Sequence, residues 1–500
     1  MKKWRKKSEP LQVPLRVLDA HLGDYFDHLD MQAAGTPSKH RVNLSSSVKG
    51  RSTMRTFSRR RFLKSSVCVG TALAAPAIVP SAVFGASAPS NTVTMGMIGT
   101  GRQCYYKNIP LFQRQRDCRI LAVCDVDSWR RDEAKRLVDD YNREKHGMTA
   151  GCAAYVDYQD LLARDDIDAV MISTPDHWHT VMALEAMQSG KDVALEKPIL
   201  RTIAEGRRLQ EASEKLGRVF RVDSEFRVGQ EARRAYSVIQ SGMLGKISKI
   251  RVGVPQSDVG CPPQPEMPVP EELDYDRWLG AGRTQAPPIP YTLNGVHPRH
   301  DLRGRPGWMR KLNFCDGMVT NWGTHLFNGA LWCLGLDRTW PLEISGTGVY
   351  PPAESFWNVL LEFHIAYKYP GDVQIEYFTE RPYMYFEGEK GWIKAGFDFF
   401  EASDERFKTA SFPLLDDPEP RFTSEKRDFL DAVKSRRPSS EPAEVGNHVT
   451  AALVMGHLAV HLGETLRWDG EQQCFIKSEK AQAMIDRPIT EPNPALQAKT

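Results

Sequence analysis

From Val93 onward the chain alternates between short runs of apolar residues and longer stretches whose apolar positions recur at helical spacing. Val93–Ile98, Arg119–Cys124, Ala169–Ser173, Asp192–Leu195 and Arg218–Val222 read as strands buried on both faces. Between them, Tyr105–Gln113, Arg130–Glu144, Tyr158–Ala163, Val181–Ser189 and Ile203–Leu216 carry the 3.6-residue period of helices. This alternation predicts a doubly wound parallel sheet with right-handed crossovers, a Rossmann-type domain over 89–222.

Past Val222 the period changes. A helix over Gly229–Ser241 and a strand over Lys246–Val252 lead into a proline-rich segment from Pro255 to Pro298. Two-residue alternation in Leu342–Gly348, Asn358–Ala366, Val373–Phe378, Tyr383–Glu387 and Gly391–Ala395 predicts a largely antiparallel, open sheet. Helices over Ser424–Ser435 and Gly446–Leu462 follow. The expected class is therefore α/β, with an N-terminal Rossmann domain, a C-terminal α/β domain over 223–476 for substrate and oligomerisation, and a polar tail over 477–500.

Upstream of Val93 the pattern differs again. Residues 1–53 are polar and basic with little periodicity, so they are expected to be disordered or to precede the true start at Met54. Ser58-Arg59-Arg60-Arg61-Phe62-Leu63-Lys64, the apolar run Val67–Val79 and a small-residue zone ending near Ala88 have the layout of a Tat-type signal peptide over 54–88. This predicts the Tat export machinery as a partner and a periplasmic or other extracytoplasmic location. Pro76 and Pro80 interrupt the apolar stretch, which falls short of a membrane span of about 20 residues. A basic tail before a core helix is the plain alternative.

With 500 residues, 41% of them apolar, the chain can form two or three domains with full cores. The net charge of +3 misleads, because the first 90 residues hold 15 Lys/Arg against 5 Asp/Glu, leaving 51 against 58 for the rest. That acidic remainder gives no reason to expect nucleic acid as a partner. The nine cysteines stand singly, without a C-x-x-C pair, and read mainly as buried thiols.

The chemistry concentrates at predicted strand ends. Gly99-x-Gly101-x-x-Cys104, between a strand and a helix, fits a dinucleotide fingerprint whose third glycine is a small cysteine; the alternative is a glycine turn of another α/β protein. Asp125 ends the next strand 26 residues after Gly99, where a carboxylate accepts hydrogen bonds from ribose hydroxyls and repels a 2′-phosphate. NAD is thus favoured over NADP, with Arg130 and Arg131 nearby tempering the preference.

Ser173–Pro198, STPDHWHTVMALEAMQSGKDVALEKP, brings two further strand ends together around one helix. Thr174, Pro175, His179, Glu196 and Lys197 are its candidate cofactor contacts. Asp176 reads as a helix cap or as part of that turn. His177 and His179 lack the further ligands that zinc requires, so no metal is assigned. Lys197 is the candidate catalytic cation, held by a following proline that restricts its backbone; a surface lysine is the bland alternative.

Farther on, Asn321-Trp322-Gly323-Thr324-His325 places Asn321 and His325 one helical turn apart. A histidine can take a proton from a hydroxyl as hydride leaves, and a core-facing histidine is the alternative. The cluster Tyr291, His297, Arg299, His300, Arg303, Arg305, Trp308 and Arg310 offers donors and aromatic faces for a polyhydroxylated or anionic ligand. Tyr291, Arg303, Trp308 and Arg310 are the chosen substrate candidates, although a loop packed on a partner subunit would look similar.

Together these residues look like the Gfo/Idh/MocA family, named for glucose-fructose oxidoreductase and inositol dehydrogenase, in its exported, Tat-dependent bacterial branch. The match runs from about Val93 to Leu466, and TPDHWH with GKDVALEKP is its most specific part. The resemblance implies NAD(P) on the Rossmann domain, tightly held in an exported protein, with Lys197 near nicotinamide and substrate. It also implies an Asp-x-x-x-His pattern whose histidine is the acid/base and an open sheet that often mediates homo-oligomers. His325 matches that pattern, whereas the aspartate position holds Asn321; Asp316 is a candidate replacement charge. The expected activity is oxidation of a sugar, cyclitol or related polyol. Redox-neutral glycoside cleavage with the same cofactor, or an NAD-binding protein that has lost its chemistry, are the alternatives.

Overall fold

The computed structural model describes residues 91–147, 151–258, 261–280, 289–409 and 424–498. The N-terminal extension over 1–53 and the Tat-type signal over 54–88 lie outside the described residues.

Six strands form the first sheet: β1 Val93–Ile98, β2 Cys118–Cys124, β3 Ala153–Tyr155, β4 Ala169–Ile172, β5 Asp192–Glu196 and β6 Phe220–Asp223. Their order is β3-β2-β1-β4-β5-β6, and every neighbouring pair is parallel. β4 and β5 are buried at every residue, so β4 reads as an unbroken apolar run and β5 as an apolar centre between the buried carboxylates Asp192 and Glu196 rather than as alternation. The strand order reverses between β1 and β4, and ligands of such sheets bind outside the strand ends at that reversal. Gly99, Thr174 and Lys197 follow β1, β4 and β5 directly, so the topology gathers them at one crevice.

The second sheet has nine strands: β7 Ile247–Val254, β8 Glu343–Val349, β9 Glu362–Tyr369, β10 Val373–Thr379, β11 Tyr383–Gly388, β12 Gly391–Ala395, β13 Phe400–Ala402, β14 Leu466–Asp469 and β15 Cys474–Phe475. The order is β13-β12-β11-β7-β10-β9-β8-β14-β15, and only β7 and β10 pair in parallel. Along β9 exposed and buried residues alternate, as expected of a sheet with one covered face. The sheet is thus mixed and mostly antiparallel.

Helix Ala443–Leu462 joins the two sheets. It is apolar all round and buried along most of its length, the pattern of a helix packed on several sides. Gly446 leaves room for Ile199 and Val222 of the first domain, and Gly456 lets the Tyr367 hydroxyl of β9 approach the helix backbone. A Cβ at Gly456 would collide with that hydroxyl, so Gly456→Ala is expected to cost about 1–3 kcal/mol in chemical denaturation.

Several elements differ from expectation, among them β3, β13, β14 and β15, strands of two to four residues too short to show a period. The helix expected to begin at Val181 spans Asp176–Gln188, with Pro175 at its N-cap. Its polar first turn conceals it because Asp176 and His179 are buried polar residues rather than solvent-facing ones. Helix Glu425–Ser435 returns to the first domain, where Phe429 and Leu430 pack with Phe112 and β1, and Asp428 pairs with Arg221 of β6 at 2.7 Å. The tail also packs: Ile489 is buried, its carbonyl accepts from Arg201, and Tyr350 bridges to Gln497. The eight described cysteines are free thiols, all buried except Cys474.

Candidate active site

The glycine turn is shaped by its neighbours. Gly99 has φ +80°, and a Cβ there would lie 2.7 Å from the backbone of Ser173 and Thr174, so any side chain would push the β1 and β4 turns apart. Gly101 is open on one side; a Cβ would meet only His297 Nε2, at 3.7 Å. Asp125, at the end of β2, accepts from the Thr100 amide at 2.7 Å and from the Asp127 amide at 2.9 Å. Burial and the charge of Asp127 raise its pKa. Beyond the turn, Cys104–Asn108 winds as a π-helix before Ile109–Gln113, a local widening often found at functional sites. It turns Asn108 inward, where its amide donates to Ser173 at 2.9 Å and to Glu196 at 3.0 Å.

The TPDHWH turn is a joint as well as a wall. The His179 ring spans the two strand-end turns, with Nδ1 2.7 Å from the Pro198 carbonyl and Nε2 2.8 Å from the Thr174 carbonyl. It is 1% exposed, so His179 positions the turns from behind rather than touching a cofactor. His177 Nε2 lies 3.0 Å from the Trp278 carbonyl. Both histidines thus face backbone carbonyls, and among the described residues no cluster of three ligand-type side chains forms a metal site. Pro175 is buried, while the Thr174 hydroxyl is a buried polar atom with no protein partner, as expected where a ligand hydrogen bond is to be made. Asp176 is 4% exposed, and burial, opposed by Lys197 and Arg201, pushes its carboxyl up to about 8.

Lys197 follows β5 and is half-buried; its bond to Pro198 is cis. Glu196 points the other way, into a buried network with Asn108, Asp223 and Lys426. Burial and Asp223 drive its carboxyl up to about 7. Helix Gly323–Leu334 carries His325, packed against Trp322 and Phe397 with ring centroids at 6.3 and 5.5 Å. Burial first, then the charges of Lys197 and Lys107, hold His325 at about 3, against the pull of Glu225. His325 is therefore a neutral imidazole, able to accept a proton, and its Nδ1 is buried without a protein partner.

Asn321 ends the short helix before it and is half-buried. Asp316 does not replace it as a charge beside His325, because it is bound to Arg201 at 3.3 Å and His457 at 3.1 Å. Asn328, one turn beyond His325, leaves the crevice too. It accepts from Arg227 and donates to Glu441 at 2.7 Å and Ser224 at 3.3 Å.

Glu225 escapes sequence reasoning. It lies two residues past β6, whose Asp223 pairs in register with Glu196, so Lys197 and Glu225 leave adjacent strands at the same end. The Ser224–Asn328 bond ties this strand end to the helix of His325, and Phe226 packs on Phe397, the ring beside His325, at 4.8 Å. Glu225 accepts from Gln103 at 2.7 Å and Lys107 at 3.2 Å. Burial alone would raise its pKa, but Lys107, His325, Lys426 and Lys197 outweigh it and hold the carboxyl at about 2. The rule that ligands gather at strand ends points to this position.

The four substrate candidates do not come together at Lys197 and His325. Tyr291 is buried edge-on against Tyr275, with centroids 5.4 Å apart. Arg310 is bound to Asp258 and lies over Trp357 at 4.5 Å. Trp308 donates to His297 at 3.3 Å, and Arg303 lies over Tyr106 at 5.9 Å, both toward the glycine turn. Asp127 and Glu272 draw Arg299 at 2.7 and 2.5 Å and fasten the part of the segment around it to the nucleotide end.

Comparisons with known proteins bear on the family and the fold. A curated relative from Shewanella sp. (strain ANA-3), named glycosyl hydrolase family 109 protein 2, is 32% identical over 206 residues, covering 38% of this chain and 44% of its own length. A relative of the same family from Saccharopolyspora erythraea is 31% identical over 207 residues, again 38% of this chain and 44% of the relative. This chain thus aligns with less than half the length of either relative. Among solved structures, the WlbA dehydrogenase of Bordetella pertussis, crystallised with NADH and UDP-GlcNAcA, superposes with TM-score 0.53 at 17% identity, covering 76% of this chain and 99% of that one. The aldose-aldose oxidoreductase of Caulobacter crescentus, crystallised with glycerol, gives TM-score 0.51 at 14% identity and covers 75% and 99%. At such identities the superpositions speak for the fold alone. Residues 93–224 match the model of an oxidoreductase family with an NAD-binding Rossmann fold, and 228–494 match the C-terminal alpha/beta domain of that same family. With both its domains matched end to end, the chain belongs to the Gfo/Idh/MocA oxidoreductase family.

Proposed function

We propose that this protein oxidises a hydroxyl group of a sugar, cyclitol or related polyol, with NAD as hydride acceptor. The observation that carries this reading is that Lys197, which follows β5, lies near enough to His325 of helix Gly323–Leu334 for its charge to help keep that imidazole neutral. The site suits a dinucleotide: Gly99 admits no side chain, Gly101 is open on one side, and the Thr174 hydroxyl lacks a protein partner. Bound there, a nicotinamide supplies the hydride acceptor. The protein supplies the rest. His325 accepts the hydroxyl proton, Lys197 stabilises the negative oxygen as it develops, and the ionised Glu225 steadies the imidazolium that results. Asn321 orients the substrate or His325 without adding charge.

NAD is favoured over NADP because both arginines near Asp125 are engaged. Arg130 donates to the Pro298 carbonyl at 2.6 Å, and Arg131 pairs with Asp132 at 2.9 Å. Export through the Tat machinery, a periplasmic location, tight cofactor retention and self-association through the open face of the second sheet complete the proposal. A panel of polyols and glycosides with added NAD, followed at 340 nm and by product chromatography, tests it. Hydride transfer yields a ketone and an absorbing cofactor. The 32% identity to a glycosyl hydrolase family 109 protein favours a second reading, glycoside cleavage through transient oxidation, which yields free sugar and no lasting absorbance.

Asn321→Asp would place a second carboxylate one turn from His325. It is expected to raise the His325 pKa and bring an acidic limb into the pH profile of kcat above about pH 5. An unchanged profile would take Asn321 out of the chemistry.

A further inference from the structure

The glycine turn and the end of β2 face a segment of the second domain, Val296–Arg303, and the two are fastened together from both sides. Arg299 donates to Asp127 at 2.7 Å and to Glu272 at 2.5 Å. In the other direction Arg130, only 2% exposed, donates to the carbonyls of Pro298 at 2.6 Å and Asp301 at 3.3 Å. A second connection runs alongside, from the Ser128 amide to the Glu272 carbonyl at 2.9 Å. Charge-assisted hydrogen bonds are the stronger class, and those of Arg299 to Asp127 and of Arg130 to Pro298 and Asp301 cross between domains at the ribose end of the crevice, while Glu272 holds Arg299 from within the second domain.

His297 stands where the segment meets the glycine turn, 3.7 Å from the position of a Cβ on Gly101. The Trp308 indole N–H can only donate, and it points at His297 Nε2 from 3.3 Å. Nε2, the ring atom nearest Gly101, is therefore an acceptor already held by Trp308, and the proton of the neutral ring lies on Nδ1. Burial and the charges of Arg130 and Arg299 keep this ring neutral.

We propose that Val296–Arg303 is the outer wall of the dinucleotide site, with His297 packed over the glycine turn and Arg299 the latch that sets how slowly the dinucleotide leaves. This inference rests on the NAD reading above and names the residues of the second domain that complete the site. It gives the polar cluster around His297 a role on the cofactor rather than the substrate.

The test uses the purified full chain with NADH as probe, read by its fluorescence, and stopped-flow displacement by excess NAD. Arg299→Ala is expected to speed NADH release about 10- to 100-fold. Arg299→Lys, which keeps the charge but not the forked contact to Asp127 and Glu272, is expected to speed it less, by about tenfold or under. Arg251→Ala, which removes an ion pair to Glu376 on the second sheet, should leave release unchanged. Release at the wild-type rate from both folded Arg299 variants would overturn the wall. Wild-type protein that binds no NADH would instead overturn the nucleotide reading itself, and the wall with it.

Discussion

Replacing Lys197 by methionine is expected to lower turnover about 10²- to 10⁴-fold while NADH binding stays within a few-fold of wild type. Lys197 is half-buried at the end of β5, and its charge acts on His325, Glu225 and Asp176 alike. Methionine keeps the length of the side chain and removes only the cation, so the loss should fall on kcat. The proposed dinucleotide contacts lie elsewhere, at Gly99, Gly101, Asp125 and Thr174, so binding should be spared. A loss of binding with unchanged kcat would mean that Lys197 anchors the cofactor rather than the reaction.

His325→Gln is expected to cost about 10²- to 10³-fold in kcat, and Glu225→Gln about 10- to 100-fold. The two effects should not add, because Glu225 acts by stabilising the imidazolium that His325 becomes. In the double variant the Glu225 substitution should cost little more. Glu225→Asp should recover part of the loss if charge is what matters. The pH profile separates this from a structural role. His325 sits at about 3 and Glu225 at about 2, so neither titrates between pH 5 and 8. Acidification through that range therefore leaves the proton acceptor neutral and its partner ionised. Any limb near neutrality belongs to Glu196 or Asp176, whose carboxyls are raised to about 7 and about 8. Fully additive losses, or no rescue by aspartate, would reduce Glu225 to a packing residue.

Much of the first domain can be read along the chain because its signals are local. Ala169–Ile172 and the Val193–Leu195 centre of β5 are apolar because both faces are covered, and Gly99, Asp125 and Lys197 each end a strand of that sheet. Helix Asp176–Gln188 begins earlier than its periodicity suggests, since Asp176 and His179 are buried polar groups. Residues set by distant partners were not legible. Glu225 acquires meaning only when Gln103, Lys107 and the helix of His325 close around it. The cluster from Tyr291 to Arg310 stands out in sequence as chemistry-bearing, yet Asp127 and Glu272 fasten the part around Arg299 to the nucleotide end. Nor does helical periodicity reveal that Glu425–Ser435 returns to β1 and β6, because that address is written in Phe112 and Arg221.

In the proposed reaction the carbon bearing the hydroxyl gives hydride to the nicotinamide while the hydroxyl proton passes to His325, and Lys197 stabilises the oxygen between them. The most direct measurement is single-turnover absorbance at 340 nm, with NAD stoichiometric to protein and a polyol and glycoside panel, on wild type and Lys197→Met. An absorbance rise with at least one polyol is expected in wild type, and a rise about 10²- to 10⁴-fold slower in the variant. Protein that binds NAD, yet shows no rise with any polyol even transiently, would contradict the proposed reaction.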